Sequence, residues 1–145
     1  AEFVVAADHA RFFLPETGLG IIPDAGAIRL PRMLPHAIAN EVLYGGRRLD
    51  ASEAERWGLV NQVVAAADLE DAAMELASRI ASAAPLAVEA VMAIDRATRH
   101  LSLGEAFGHL RSGDLESYER MLVSEAAKEG PRAFAEKRDP YWQGA

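Results

Sequence analysis

The residues best suited to chemistry lie close together near the start of the chain. Glu16 is a carboxylate in a Pro15-Glu16 turn, directly after the apolar run Phe12-Phe13-Leu14. Further along, Pro23-Asp24-Ala25-Gly26 reads as a second turn, leading into Ile28-Arg29-Leu30. A carboxyl group can carry a proton to and from a reacting atom, and it does so best when burial lifts its pKa toward neutrality. The preceding phenylalanines and leucine offer an apolar wall for that purpose. Glycine beside it lets backbone approach a ligand with no side chain in the way. Spacing alone leaves a second reading of Glu16 open, since a glutamate after proline in a turn is often a solvated surface residue. Asp24 reads from its residue type as the N-cap of the next helix, since aspartate accepts backbone N–H bonds well there.

These residues need elements to hold them. Phe3-Val4-Val5-Ala6-Ala7 reads as a buried strand and Arg11-Phe12-Phe13-Leu14 as a second, with Asp8-His9-Ala10 as the turn between. A domain that opens inside a core strand leads us to expect further chain before Ala1. From residue 26 onward helix signals dominate. Pro35 suits the first position of a helix carrying Ile38, Val42 and Leu43, stopped by Gly45-Gly46. Ser52 and Glu55 read as a capping box, followed by a short helix to Gly58 and a strand over Leu59–Val64. Asp68 caps a helix whose stripe is Leu69, Ala72, Ala73, Leu76, Ala77 and Ile80. Pro85 opens another, with Ala87, Ala90, Val91, Ile94 and Ala97 inward. Ser102 and Glu105 form a second capping box ahead of Phe107, Gly113-Asp114 kinks or ends that helix, and the pattern resumes from Leu115 to Gly130. Pro131 then opens a final turn. The change near residue 66, from mixed strand and helix to helix alone, divides the chain into regions 1–65 and 66–145.

Composition excludes several classes. The chain has 145 residues, half of them hydrophobic and 26% charged, which is the balance of a packed protein. A formal charge of −7 argues against a general nucleic-acid binder. No apolar run approaches the roughly 18 residues that span a bilayer, and no leader pattern is present, so the expectation is a soluble, cytoplasmic protein without a membrane partner. There is no cysteine to serve as thiol nucleophile or zinc ligand, and the four histidines have no metal-ligand spacing.

The order Pro15-Glu16, Gly18-Leu19-Gly20, Pro23-Asp24-Ala25-Gly26 and Arg29-Leu30 resembles the active-site strand and turn of the enoyl-CoA hydratase/isomerase (crotonase) superfamily. A second match is Glu129-Gly130-Pro131-Arg132-Ala133-Phe134-Ala135-Glu136-Lys137-Arg138-Asp139-Pro140, similar to the family's closing element. With Tyr141-Trp142-Gln143-Gly144, and with Asp24 where typical hydratases have glycine, the chain looks most like the carnitinyl-CoA dehydratase branch. Gly45-Gly46-Arg47-Arg48-Leu49 and Trp57-Gly58-Leu59-Val60 match as markers of fold.

The resemblance implies an α/β chain forming the C-terminal part of a crotonase (ClpP-like) spiral fold, mostly helical. Residues 1–65 would be its last core strands and helices, and 66–145 a C-terminal helical oligomerisation region of a homo-trimer or hexamer. It implies an acyl-CoA hydratase or dehydratase, a lyase working through a thioester enolate, with a coenzyme A thioester as substrate and no metal or redox cofactor. Glu16 would be one of two acid/base carboxylates, and Asp24 and Gly26 would contact substrate. Phe134 and Lys137 would lie near the CoA nucleotide; without the resemblance that tail reads as a charged amphipathic helix with Phe134 packed inward. The family's oxyanion hole and second glutamate would precede Ala1, so this chain alone is expected to be inactive. The alternative is a truncated, non-catalytic crotonase-like module that binds CoA or partner subunits.

Overall fold

The computed structural model describes residues 2–143, so Ala1 and Gly144, both singled out above, lie outside the described residues. Contacts divide the chain into two compact units, Ala1–Glu75 and Leu76–Ala145.

The first unit is built on two small strand pairs. β1 (Val5–Ala7) runs parallel to β4 (Gln62–Val64), with Ala6 opposite Val63. β2 (Arg11–Phe12) runs antiparallel to β3 (Leu49–Asp50), with Phe12 opposite Leu49. Both strands are shorter than the apolar runs suggest. Phe3 is exposed, and there the Asn61 side chain replaces a ladder partner: its Oδ1 accepts from the Val4 amide at 2.8 Å, while the Asn61 amide donates to the Val4 carbonyl at 2.8 Å. Between the strands lie α1 (Asp24–Met33), α2 (His36–Gly45) and α3 (Ala51–Arg56). Gly46 closes α2 with a left-handed φ of 62°. The capping box of α3 sits two residues earlier than expected, on Asp50 and Glu53. Asp50 Oδ1 accepts both the Glu53 amide and the Ser52 hydroxyl, so the serine's donor is already committed to that carboxylate. The core joins Leu34, Ala39, Val42 and Leu49 in one cluster and Ala6, Ala54 and Val60 in a second, and Phe12 and Leu59 pack against both.

Helix α4 (Leu69–Ala81) follows a short 3-10 turn, Ala66–Asp68, and carries the chain into the second unit. That unit holds α5 (Pro85–Thr98), α6 (Leu103–Leu110), α7 (Glu116–Leu122) and α8 (Glu125–Glu136). Pro85 begins α5, and the Ser102–Glu105 capping box begins α6, both as the sequence indicates. The inward face of α5 is set by Leu86 and Ala90, whereas Val91, one position further round, is 64% exposed. The break expected at Pro131 falls earlier: α7 ends at Leu122, and Ser124 caps α8 by accepting the Ala127 amide. Helix α8 then runs through Pro131, leaving one backbone acceptor in that turn without its usual donor. No single helix among the described residues is long and apolar enough to cross a membrane.

Candidate active site

Glu16 opens a 3-10 turn, Glu16–Leu19, that the sequence closes at both ends. Pro15 precedes it and its carbonyl accepts the Gly18 amide at 3.1 Å. Gly20 ends it at φ 78°, a conformation that costs most residues free energy but not glycine. The Thr17 hydroxyl donates to the Leu43 carbonyl at 2.9 Å, which ties the turn to the last turn of α2. The peptide around Glu16 is therefore fixed by backbone and by a neighbour, leaving its carboxyl free of structural duty.

That carboxyl is only half-buried as a residue, yet its Oε2 is shut off from solvent and has no hydrogen-bond partner. An acceptor left in this state costs roughly 1–3 kcal/mol. Native proteins satisfy nearly all such atoms, so each exception calls for an explanation, and a carboxyl held for a ligand or a proton is one; Asn40 Oδ1 is a second such atom here. The solvated-surface reading of Glu16 does not describe this oxygen.

The chain just before the turn borders a cavity of about 410 Å³ lined mainly by apolar side chains, to which no residue of the turn itself contributes. Phe12, Phe13 and Leu14 form one wall, Ala25 and Gly26 at the first turn of α1 another, and Val42 and Leu49 come from the core. Arg11 and Arg29 also line it, and Arg48 lies 4.5 Å over the Phe13 ring. Gly26 lets Leu14 pack closely against α1: a Cβ there would lie 2.6 Å from Leu14 Cδ1, the end of a flexible side chain, and 3.2 Å from Pro23 Cβ. Gly26 lines the cavity, whereas Glu16 lies two residues beyond the wall residue Leu14, across Pro15, and is not itself a lining residue. Asp24 is exposed at the first position of α1; Pro23 takes the N-cap position, and no side chain caps this helix. The second turn read from the sequence is thus the start of α1, and the capping role for Asp24 is not used.

Phe134 and Lys137 belong to the second unit. Phe134 is 87% exposed, contrary to an inward packing of this ring. Lys137 ends α8 at φ 52°, alone among the described non-glycine residues in having a positive φ. The Lys137 amide donates to the Phe134 carbonyl and the Arg138 amide to the Ala133 carbonyl, the paired bonds of a Schellman turn. A left-handed conformation costs an L-residue about 1–2 kcal/mol, so glycine is the usual occupant. Beside it, Arg138 grips Glu129 with two bonds, at 2.5 and 3.0 Å, and also contacts Glu136. These bonds from Arg138, with the Tyr141 amide, hold Glu129 down at about 2. Its folded-state pKa lies below the ordinary value, so its contribution is complete above that value and is lost only as the pH falls toward about 2. Glu129, Arg138 and Leu49 stand within the motifs quoted above, but the sequence assigns no role of their own to them or to Thr17. The charged pair is nine positions apart, outside the helical i,i+4 pattern that marks such partners.

The comparisons with known proteins agree with one another. The sequence model of the enoyl-CoA hydratase/isomerase family matches residues 1–145. The carnitinyl-CoA dehydratase of Citrobacter koseri is 54% identical over 145 residues, covering 99% of this chain and 56% of that protein. That of Proteus mirabilis is likewise 54% identical with the same coverage. Among solved structures, a putative short chain enoyl-CoA hydratase from Novosphingobium aromaticivorans superposes with a TM-score of 0.87 at 42% identity, over 100% of this chain and 56% of that one. The enoyl-CoA hydratase of Bacillus anthracis gives 0.89 at 37% identity, over 100% and 55%. The chain therefore spans little more than half the length of the relatives it matches, and its fold is a mostly helical part of the crotonase fold. On the match along all of its length, the chain belongs to the enoyl-CoA hydratase/isomerase (crotonase) family.

Proposed function

We propose that this chain is the proton-transferring part of an acyl-CoA hydratase or dehydratase of the carnitinyl-CoA dehydratase type. The observation that carries the reading is the sealed, unpartnered Oε2 of Glu16, on the turn that follows the Phe12–Leu14 wall of an apolar cavity. In such a reaction the hydroxyl of water bonds to the β-carbon of an unsaturated acyl thioester. The electron pair of the double bond moves onto the thioester carbonyl as an enolate, and a proton then joins the α-carbon. Dehydration runs the same steps backwards. Glu16 is the group that exchanges a proton with the α-carbon, and the Phe12–Leu14 wall holds the acyl chain. Asp24, on the first turn of α1, contacts the polar part of that chain. Donors for the enolate oxygen and a second carboxylate belong to the rest of a full-length protein, so the chain by itself is inactive. The exposed Val91, Leu122 and Val123 are apolar surface for neighbouring subunits of a trimer, which sedimentation of the full-length protein would read.

Gly26→Ala separates this reading from a purely structural one. The added methyl meets the flexible end of Leu14, which can move, and alanine gains roughly 1 kcal/mol over glycine inside a helix. The two effects nearly cancel in stability. Leu14, however, moves at the cavity wall. The expected result is a melting temperature shifted by only a few degrees with a clearly raised KM for the acyl-CoA thioester. A large loss of stability at unchanged KM would mean that the cavity is not the acyl site.

The nucleotide end of CoA is assigned to Phe134 and Lys137, an exposed ring and an exposed ammonium three positions apart. Lysine is a compact charge suited to phosphate. Lys137→Ala is expected to raise KM for CoA thioesters by about two- to fivefold with kcat nearly unchanged, the pattern of lost uniform binding. The difference from wild type should shrink as salt rises, because exposed charges are screened over about 8–10 Å. A loss of kcat at constant KM would contradict the assignment.

A further inference from the structure

The C-terminal segment does more than end α8. After the Schellman turn it is held by three further contacts along the same unit. Arg138 is forked onto Glu129, the Tyr141 amide donates to Glu129 Oε1 at 2.9 Å, and the Trp142 indole donates to the Ser82 carbonyl at 2.9 Å. The indole lies against α8 at Gly130, where a Cβ would make ordinary van der Waals contact with Trp142 Cη2 at 3.6 Å. Glu129 is the hub, its side chain only 17% exposed, receiving both Arg138 and the backbone of Tyr141. The backbone bonds of the turn would suffice to stop a helix, and glycine would make them at less cost than lysine. A lysine kept in the left-handed region is conformational strain that the surroundings must over-determine. Arg138, the next residue, supplies that constraint through a bidentate, charge-assisted pair that fixes orientation as well as energy.

We propose that the Glu129–Arg138 clip is the positioning device for Lys137 and Phe134, holding the strained turn that presents both to the nucleotide end of a CoA thioester. The inference rests on the reading of Phe134 and Lys137 given above. It adds two residues that touch no substrate and act through their neighbour. Without the clip, Lys137 relaxes out of the left-handed conformation, its ammonium leaves the phosphate, and the exposed Phe134 ring loses its companion.

The test uses the full-length protein and adenosine 3′,5′-bisphosphate as a probe for the nucleotide of CoA. Its dissociation constant is measured by calorimetry for Lys137→Ala, Arg138→Ala, Glu129→Gln and the double variant of Lys137 and Arg138, with KM and kcat for the thioester alongside. Each single variant is expected to weaken binding by about two- to fivefold, the upper part of the range of one exposed charge contact. The double variant is expected to be no weaker than the worse single one, because the clip works only through Lys137. The thioester loss should fall on KM. If Lys137→Ala binds the probe as wild type does, the CoA assignment itself is overturned. If Lys137→Ala weakens binding but Arg138→Ala and Glu129→Gln do not, or if the losses multiply in the double variant, the assignment stands and the clip is overturned. Should Arg138→Ala fail to fold, Glu129→Gln decides alone, since it keeps an acceptor for the Tyr141 amide and removes only the charge that grips Arg138.

Discussion

Replacing Glu16 by glutamine in the full-length protein is expected to lower turnover by about 10²–10⁴-fold while leaving the fold and KM nearly unchanged. The magnitude is that of losing one positioned acid/base group. Glutamine has the same shape but cannot exchange a proton at neutral pH. Its effect on stability should be small for a reason visible in the structure. Oε2 of Glu16 has no partner to lose, and the turn that carries it is secured by Pro15, Gly20 and the Thr17 hydroxyl instead. Steady-state kinetics with a melting curve read both halves of the expectation. Wild-type turnover in this variant would remove Glu16 from the chemistry, and a collapse in melting temperature would make it a structural residue.

Leu49→Ala should produce the largest loss of stability. Leu49 is 1% exposed, sits opposite Phe12 in the β2–β3 pair, and joins the Leu34, Ala39 and Val42 cluster. Truncating a buried leucine costs about 2–5 kcal/mol, the larger values applying where the site cannot collapse. Here the removed atoms border a cavity that is already open, so little of the space can be reclaimed. Against a typical total of about 5–15 kcal/mol, such a loss is severe. Urea unfolding of the full-length protein reads it. A change below about 1 kcal/mol would show that the β2–β3 pair does not hold the cavity's inner wall.

How much of this was legible beforehand depends on the range of the contacts involved. The Glu16 turn is local, written as an apolar run, a proline, a carboxylate and glycines, and it forms where the sequence places it. Helix starts at Pro85 and Ser102 are equally local. The α3 cap was displaced because Asp50 and Ser52 are both followed three residues later by glutamate, and only the geometry shows which oxygen the backbone uses. At Pro131, residue type suggested a break, but the serine cap at Ser124 had already restarted the helix, and the fold carried the proline within it. The cavity was not legible. Its inner wall depends on Phe12 meeting Leu49 across an antiparallel pair from distant parts of the chain. The same holds for Arg138 and Glu129, which become partners only when the tail turns back along α8.

The central claim is that Glu16 moves a proton at the α-carbon of an acyl-CoA thioester. Hydrogen exchange at that carbon tests it without depending on which acyl group is natural. The full-length protein is incubated with a saturated short-chain acyl-CoA in deuterated water, and the thioester is weighed by mass spectrometry over time. The account predicts deuterium entering the α-position with wild-type protein and essentially none with Glu16→Gln. Exchange at equal rates in both, or in neither, would contradict it.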